Sequence, residues 1–162
     1  MHPPPPVETA YHSPSAQELR WLLENLVAQV PGTRRAVLVS DDGLLLLSSD
    51  PAHQGTAPTP WGGDGARAGA ETATVVSGID ALTRCAAGLM NGGPVRRLVV
   101  TMAYAGLVVT PVPERALLAV ETGPGCDTAV VAQQAAVCAA HTARLLTPEV
   151  RRELRATVPL AG

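Results

Sequence analysis

Residues 95–121 read VRRLVVTMAYAGLVVTPVPERALLAVE, and this stretch decides the fold. Runs rich in Val, Leu and Ala lie at about 95–102, 107–110 and 116–121, and turn-forming residues lie between them at 104–106 and 112–115. Such runs predict three β-strands. Because connections this short cannot hold a crossover, the three strands must form an antiparallel meander.

A helix and a hairpin come before this meander in the sequence. Ser15 and Glu18 form a capping box, and leucines at helical spacing follow, so a first helix is expected from Ser15 to Val30. Two strands, 36–40 and 44–49, meet at a tight turn made by Asp42-Gly43. Four consecutive leucines in the second of these strands leave no polar face, so helices must cover both sides of the sheet.

Three further helices are predicted, and they complete the fold class. The second helix spans about Ala70–Met90, the third runs from an Asp127 cap to about Leu146, and a short terminal helix begins at Thr147-Pro148. In the second helix we expect one stripe to face the sheet, namely Val75, Val76, Ile79, Leu82, Ala86, Leu89 and Met90. The expected fold class is α+β, a three-layer α/β/α arrangement with a five-stranded antiparallel sheet.

Composition shifts mark the flanking segments. Residues 1–14 hold five prolines and are expected to form a disordered tail, and residues 157–162 a second tail. Residues 51–69 contain three prolines and five glycines without periodicity, which favours a flexible insertion. A single domain is therefore expected over residues 15–156.

The charged residues exclude several function classes. All twelve basic residues are arginines, so mechanisms that need a lysine amine are ruled out, among them the phosphate-binding lysine of P-loop proteins. A net charge of −2 without a basic stripe makes nucleic acid an unfavoured partner. The histidines lie where no catalytic triad is suggested, so we expect no enzyme activity, no cofactor and no catalytic residue.

Cysteine usage and hydropathy indicate a cytoplasmic protein without a metal centre. Three cysteines at wide spacings are typical of reduced thiols. Cys138 and His141 share a helix face, but two potential ligands do not make a metal site. No apolar run is long enough to span a membrane, and the N-terminus lacks the pattern of a signal peptide.

The second helix also carries a line of small residues. Thr74, Gly78, Ala81, Cys85 and Gly88 follow one another at spacings of 4, 3, 4 and 3. Each interior glycine costs a helix about 1 kcal/mol relative to alanine, so the line suggests a close helix–helix contact. We expect a homodimer in which two such helices pair antiparallel near Ala81. Two alternatives stay open: the line reflects a composition rich in Gly and Ala, or the first or third helix of the same chain fills it.

Several segments, taken in order, resemble the Roadblock/LC7 family, and in particular the Roadblock proteins of actinobacterial conservons. These segments are residues 20–32, the hairpin 39–46, the helix segment 75–82, the junction 92–95 and the ending 146–151. The resemblance covers about residues 15–155.

The resemblance implies a noncatalytic regulator. Roadblock dimers bind small Ras-like GTPases, and conservon members occur beside a sensor-kinase-like protein, which would allow membrane association through partners. In the family the middle helix and the third strand build the dimer, so Arg97 joins the expected interface unless it is an ordinary charged strand end. The paired helices form the platform for the GTPase, and the candidate partner surface comprises Arg67, Ser77, Arg84 and Trp21.

Two other interpretations concern Trp21 and the interior of the protein. Trp21 lies opposite the leucine stripe of the first helix, where it either anchors a partner or, as we favour, packs against the third or terminal helix. A small-ligand-sensing module with a pocket between sheet and helix is the alternative function. A core of Val, Leu and Ala argues against such a pocket, because it lacks aromatic walls and convergent polar groups.

Overall fold

The computed structural model describes residues 13–50, 65–113 and 115–156. Its elements, in chain order, are α1 (Pro14–Gln29), β1 (Thr33–Ser40), β2 (Leu45–Ser48), α2 (Gly65–Leu89), β3 (Leu98–Thr101), β4 (Gly106–Val112), β5 (Ala116–Thr122), α3 (Thr128–Leu145) and α4 (Pro148–Ala156). This order is the one that the sequence predicts. The fold class is therefore confirmed as α+β with a five-stranded antiparallel sheet.

The strands are arranged β2-β1-β5-β4-β3, and every neighbouring pair is antiparallel. The central pair, β1 and β5, keeps its register from Ser40 opposite Ala116 to Ala36 opposite Val120. The meander of β3, β4 and β5 follows from the short connections between these strands. It leaves β2 and β3 as the two edges of the sheet.

Helices cover both faces of the sheet, which confirms the three-layer arrangement. On one face, α1, α3 and α4 pack on a core that includes Leu23, Leu38 and Leu118. On the other face, α2 packs through Ala73 and Val76 on a separate core. Neighbouring leucines of β2 enter different cores, Leu45 the α2 core and Leu46 the other. The expected coverage of both sides of this strand is therefore confirmed.

Helix α1 begins earlier than predicted, and its cap is a different serine. The Ser13 side chain accepts a hydrogen bond from the backbone N–H of Ala16 at 3.1 Å, and Pro14 is the first helical residue. Proline suits that position because a first-turn N–H has no partner within the helix. The prediction of Ser15 as the cap is wrong. The backbone N–H of Ser13 also donates to Glu153 Oε1 at 3.0 Å, which joins the start of α1 to α4.

Helix α2 also begins earlier, at Gly65 rather than Ala70. Residues 65–69, expected to end the flexible insertion, therefore form the first part of this helix. Residues 1–12, 51–64 and 157–162, which carry the other predicted flexible segments, lie outside the described residues. Strand β3 is shorter than predicted, and Arg96 and Arg97 come just before it.

The side of α2 that faces the sheet is rotated from the predicted stripe. Its buried positions are Gly69, Ala73, Val76 and Asp80, with Ile79 packed against the same core. Glycine and alanine along this line let the helix approach the sheet closely. The other members of the predicted stripe, Val75, Leu82, Ala86, Leu89 and Met90, are exposed, so their assignment to the core is wrong.

Candidate functional site

The candidate site is the outer face of α2, which points away from the sheet and is unusually apolar. Val75, Leu82, Leu89 and Met90 are exposed to 56%, 73%, 87% and 79%. Single exposed hydrophobic residues are ordinary, but a contiguous apolar surface marks a site of interaction. This face of α2 is therefore suited to be covered by another protein.

The line of small residues lies on this outer face, and we call it the α2 seam: Thr74, Gly78, Ala81, Cys85 and Gly88. All five residues are exposed. Within the described part of the chain, a Cβ atom added at Gly78 or Gly88 would have nothing within 4 Å. Helices α1 and α3 pack on the opposite face of the sheet, so the alternative that one of them fills the seam is wrong.

The seam has the symmetry that pairing with itself requires. Thr74 and Gly88 lie seven residues on either side of Ala81, and Gly78 and Cys85 lie three and four residues away. An antiparallel pair of α2 helices crossing at Ala81 therefore places Thr74 opposite Gly88 and Cys85 close to Gly78. Self-complementarity of this kind is what a twofold axis demands.

The edge strand β3 and the turn after it also present apolar groups: Met102 borders α2, whereas Val99 pairs with Val108 and lies on the opposite face of the sheet. Val99 and Met102 are exposed to 42% and 50%, and Tyr104 in the following turn is exposed to 81%. Strand β4 pairs with one side of β3, and no strand among the described residues pairs with the other. Arg97 is exposed immediately before this strand.

The polar residues predicted for the partner surface are held on α2 by local contacts. Arg67 Nε lies 2.9 Å from Glu71 Oε1, and Arg84 Nη2 lies 2.9 Å from Asp80 Oδ2. The Asp80 side chain is only 7% exposed, whereas Arg84 is 55% exposed, so a buried carboxylate holds a largely exposed guanidinium.

Ser77 is half-buried, and it borders the β1–β2 turn. Its hydroxyl donates to the Thr74 carbonyl oxygen at 3.1 Å. A Cβ atom added at Gly43 would lie 3.0 Å from Ser77 Oγ, and Gly43 has φ +88°. Glycine is therefore required at this turn both for its backbone angle and for its close approach to α2.

A cleft of about 840 Å³ opens at the C-terminal end of α2, where the helix meets the β4–β5 end of the sheet. Arg84 and Asp80 line one side of it, and Asp41 and Arg115 line another. Arg115 Nε donates to Asp41 Oδ2 at 2.7 Å, and this bond raises the pKa of Arg115 above its ordinary value. Beside the α2 core, an open groove of about 520 Å³ lies between the N-terminal half of α2 and strands β4 and β5, and Val75, Leu107 and Thr122 are among the residues that line it.

Sequence reasoning missed Asp41, Asp80 and Arg115 as members of this cleft. The i,i+4 spacing of Asp80 and Arg84 is a signal that was available, since such pairs meet on a helix. Asp41 and Arg115 are separated by 74 residues, and only the hairpin ends of the fold bring them together.

The remaining candidate residues lie apart from α2. Trp21 is 58% exposed on α1, on the opposite side of the sheet, so its expected packing against α3 or α4 is wrong and it does not join the other partner-surface residues. Cys138 is buried, which raises the pKa of its thiol, whereas His141 is exposed. The described residues contain no cluster of three or more metal-ligating side chains.

In the part of the chain that the structure describes, no helix is both long and apolar enough to cross a membrane.

Comparisons with known proteins place this fold. The chain matches no protein-family model, and no curated protein matches it significantly. Among solved structures, a Roadblock/LC7 domain from Streptomyces avermitilis is similar at a TM-score of 0.64 and 31% identity, over 78% of this chain and 96% of that one.

Two more distant structures share the fold. MglB from Myxococcus xanthus has a TM-score of 0.66 at 15% identity, over 85% of this chain and 96% of that one. The gliding protein MglB from Thermus thermophilus has a TM-score of 0.66 at 21% identity, over 83% of this chain and 93% of that one. The identity and coverage shared with the Streptomyces domain identify the family: this chain belongs to the Roadblock/LC7 family.

Proposed function

We propose that the chain is a noncatalytic homodimeric regulator that binds a small Ras-like GTPase and modulates its nucleotide cycle or its location. The observation that carries this proposal is the exposed α2 seam flanked by large apolar residues. Such a surface is costly to leave in water, since apolar area contributes about 25 cal/mol per Å² when it is buried. A second copy of α2 and a GTPase together would cover it.

In the proposed dimer, the two seams pair antiparallel and the two β3 edges lie side by side. The small seam residues allow close approach of the helix backbones. Strand β3 supports this arrangement because an edge strand offers unpaired backbone groups to a neighbouring chain. Arg97 then lies at the margin of the interface, next to β3.

The GTPase binds on the paired α2 helices, where Leu82 and Val75 flank the seam and Arg67, Ser77 and Arg84 supply polar contacts. Arg67 and Arg84 each form an ion pair on α2. Neither resembles a mobile arginine finger, so a change in hydrolysis arises from reshaping the switch loops of the GTPase itself. A sensor-kinase-like protein completes the signalling complex, which is cytoplasmic and reaches the membrane through its partners.

Calorimetry tests this function with a small Ras-like GTPase encoded beside the chain, loaded with GDP or with a non-hydrolysable GTP analogue. We expect binding to the loaded GTPase and a weaker interaction for Leu82→Glu, with Val137→Glu on α3 as the matched control. Val137 is 53% exposed on the other side of the sheet, so its substitution leaves binding unchanged. Absence of binding in every nucleotide state contradicts the proposal.

A further inference from the structure

The open groove of about 520 Å³ beside the N-terminal half of α2 is lined mainly by apolar residues, and we call it the α2 groove. Two of its lining residues, Val76 and Leu107, are buried, whereas Val75 and Met102 remain 56% and 50% exposed. Contiguous apolar surface that stays in water marks a site of interaction. The α2 groove is therefore suited to receive a further apolar side chain.

Strand β3 borders the same flank of α2 and is incompletely covered. Leu98 and Val100 pack against the α2 core together with Ile79, and all three side chains are only partly buried. Among the described residues, no strand pairs with the outer edge of β3. The flank between α2 and β3 is therefore open on the side where the proposed dimer brings a second copy.

Leu89, the last residue of α2, is the most exposed large hydrophobic residue that the structure describes, at 87%. Val75, Leu82 and Leu89 follow one another at spacings of seven residues, about two helical turns, so they lie in one line beside the seam. This line is symmetric about Leu82. A twofold axis there places Leu89 of one copy beside Val75 of the other.

The line and the α2 seam have nearly the same centre of symmetry. The seam is symmetric about Ala81 and the line about Leu82, a difference of one residue or about 1.5 Å along the helix. A single antiparallel pair of α2 helices therefore brings the seams together and places each Leu89 next to Val75 of the other copy. Because both patterns call for the same axis, they favour a second copy as the occupant of the groove.

Leu89 cannot fill the α2 groove of its own chain. The α2 residues that line the groove end at Val76, thirteen residues before Leu89, which is about 20 Å along the helix. A Leu89 side chain therefore enters an α2 groove only between two chains.

The charged residues of the groove do not oppose an apolar occupant. Arg34, Glu71 and Glu121 are part of the lining. Both carboxylates are already paired with arginines, Glu71 with Arg67 and Glu121 with Arg35, each at 2.9 Å. An apolar side chain can therefore cover the groove without leaving a carboxylate of the lining unpaired.

We propose that the α2 groove of each copy receives Leu89 of the other copy, beside Val75 and Met102. This inference rests on the proposed homodimer and adds the side chain that each copy contributes to the groove of the other. The groove is incomplete in a single chain, and one symmetric exchange fills both grooves of the dimer.

Disulfide formation between two different variants tests the exchange. Val75→Cys and Leu89→Cys chains, both without the three native cysteines, are mixed and mildly oxidised. We expect a covalent dimer with one chain of each kind. Like positions lie fourteen residues apart in the pair, about 21 Å, so neither variant alone should be linked. Val137→Cys, at a site 53% exposed on α3, replaces Val75→Cys in the matched control and should give no mixed dimer.

Sedimentation velocity on the same mixture separates failure of the exchange from failure of the homodimer. Absence of the mixed disulfide in chains that sediment as dimers overturns the exchange and leaves the homodimer standing. Chains that sediment as monomers overturn both.

The substitution Leu89→Ala gives a second measurement. Because Leu89 is exposed in the single chain, the variant should fold as the wild type does. Loss of two symmetric contacts should raise the Kd of the dimer by about tenfold or more. Val137→Ala is the control and should change the Kd by less than about twofold. A Kd for Leu89→Ala within the range of this control overturns the inference.

Discussion

The substitution Gly78→Ala distinguishes two possibilities for α2: its outer face is exposed to solvent, or it pairs with α2 of a second copy. In the single chain, an added Cβ meets nothing within 4 Å among the described residues. Alanine should therefore stabilise α2 by about 1 kcal/mol, the helix-interior difference between the two residues. For a chain of this size that increase raises the melting temperature by about 2–4 °C.

The proposed dimer reverses the sign of this effect. There Gly78 lies close to Cys85 of a second copy, and a methyl group enters the interface at two symmetric places. Overpacking costs about 1–3 kcal/mol per site, so two sites weaken the dimer by about 2 kcal/mol or more, which is about thirtyfold in Kd. Gly78→Ala is therefore expected to dissociate at higher concentrations than the wild type.

Sedimentation velocity across a concentration series measures this Kd, and thermal melts give the stability. Ala140→Gly on the exposed face of α3 is the control, since it tests helix propensity away from the seam and should lower stability by about 1 kcal/mol. A melting temperature raised by the full increment of about 2–4 °C with an unchanged Kd would refute the reasoning.

Three other predictions address the same structure. Val76→Ala should lower the free energy of unfolding by about 2 kcal/mol because it removes buried methyl groups between α2 and the sheet. Val75→Ala should change the free energy of unfolding of the monomer by less than about 0.5 kcal/mol because Val75 is exposed. Urea titration measures both values. Ala81→Arg places a charge at the centre of the seam and should lower the mass from light scattering to one chain; an unchanged dimer mass argues against the seam. Burial raises the pKa of the Cys138 thiol, so the thiol ionises in the unfolded state first, and the free energy of unfolding should fall as pH rises above about 8.5. The Cys138→Ala variant should lose less stability between about pH 7 and 10. Equal slopes of unfolding free energy against pH in the two proteins would contradict this effect.

The sheet and its layers could be predicted because short connections leave few arrangements of the strands. Loops of a few residues allow only an antiparallel meander from Leu98 to Thr122. The leucines of β2 require cover on both sides, which fixes helices on both faces. These constraints act locally or through neighbouring elements, so the sequence expresses them directly.

The orientation of α2 could not be predicted from periodicity alone. Apolar residues surround most of this helix, so stripes through Val76 and through Val75 both match a helical repeat. The proposed dimer, in which α2 packs one face on its own sheet and the other on a second copy, accounts for both apolar stripes. Burial of Asp80 beneath Arg84 adds a polar residue to the inner side, where hydrophobicity gives no signal.

The contact between α4 and the β1–β2 turn lay beyond sequence reasoning because its members are distant in the chain. Asp42 and Arg155 are 113 residues apart, and the packing of α4 beside the β1–β2 turn brings them together. Nothing in the local pattern around either residue indicates this contact.

Disulfide trapping tests the pairing of α2 most directly. In a chain whose three native cysteines are replaced, the proposed pairing brings Ala81→Cys next to its symmetry mate on the twofold axis. A disulfide there requires the two Cα atoms to lie within about 7 Å of each other. Ala140→Cys on α3 provides the control. Mild oxidation should link the Ala81→Cys chains into covalent dimers and leave the control monomeric on a nonreducing gel. Monomeric Ala81→Cys chains under conditions that oxidise a model dithiol would contradict the pairing.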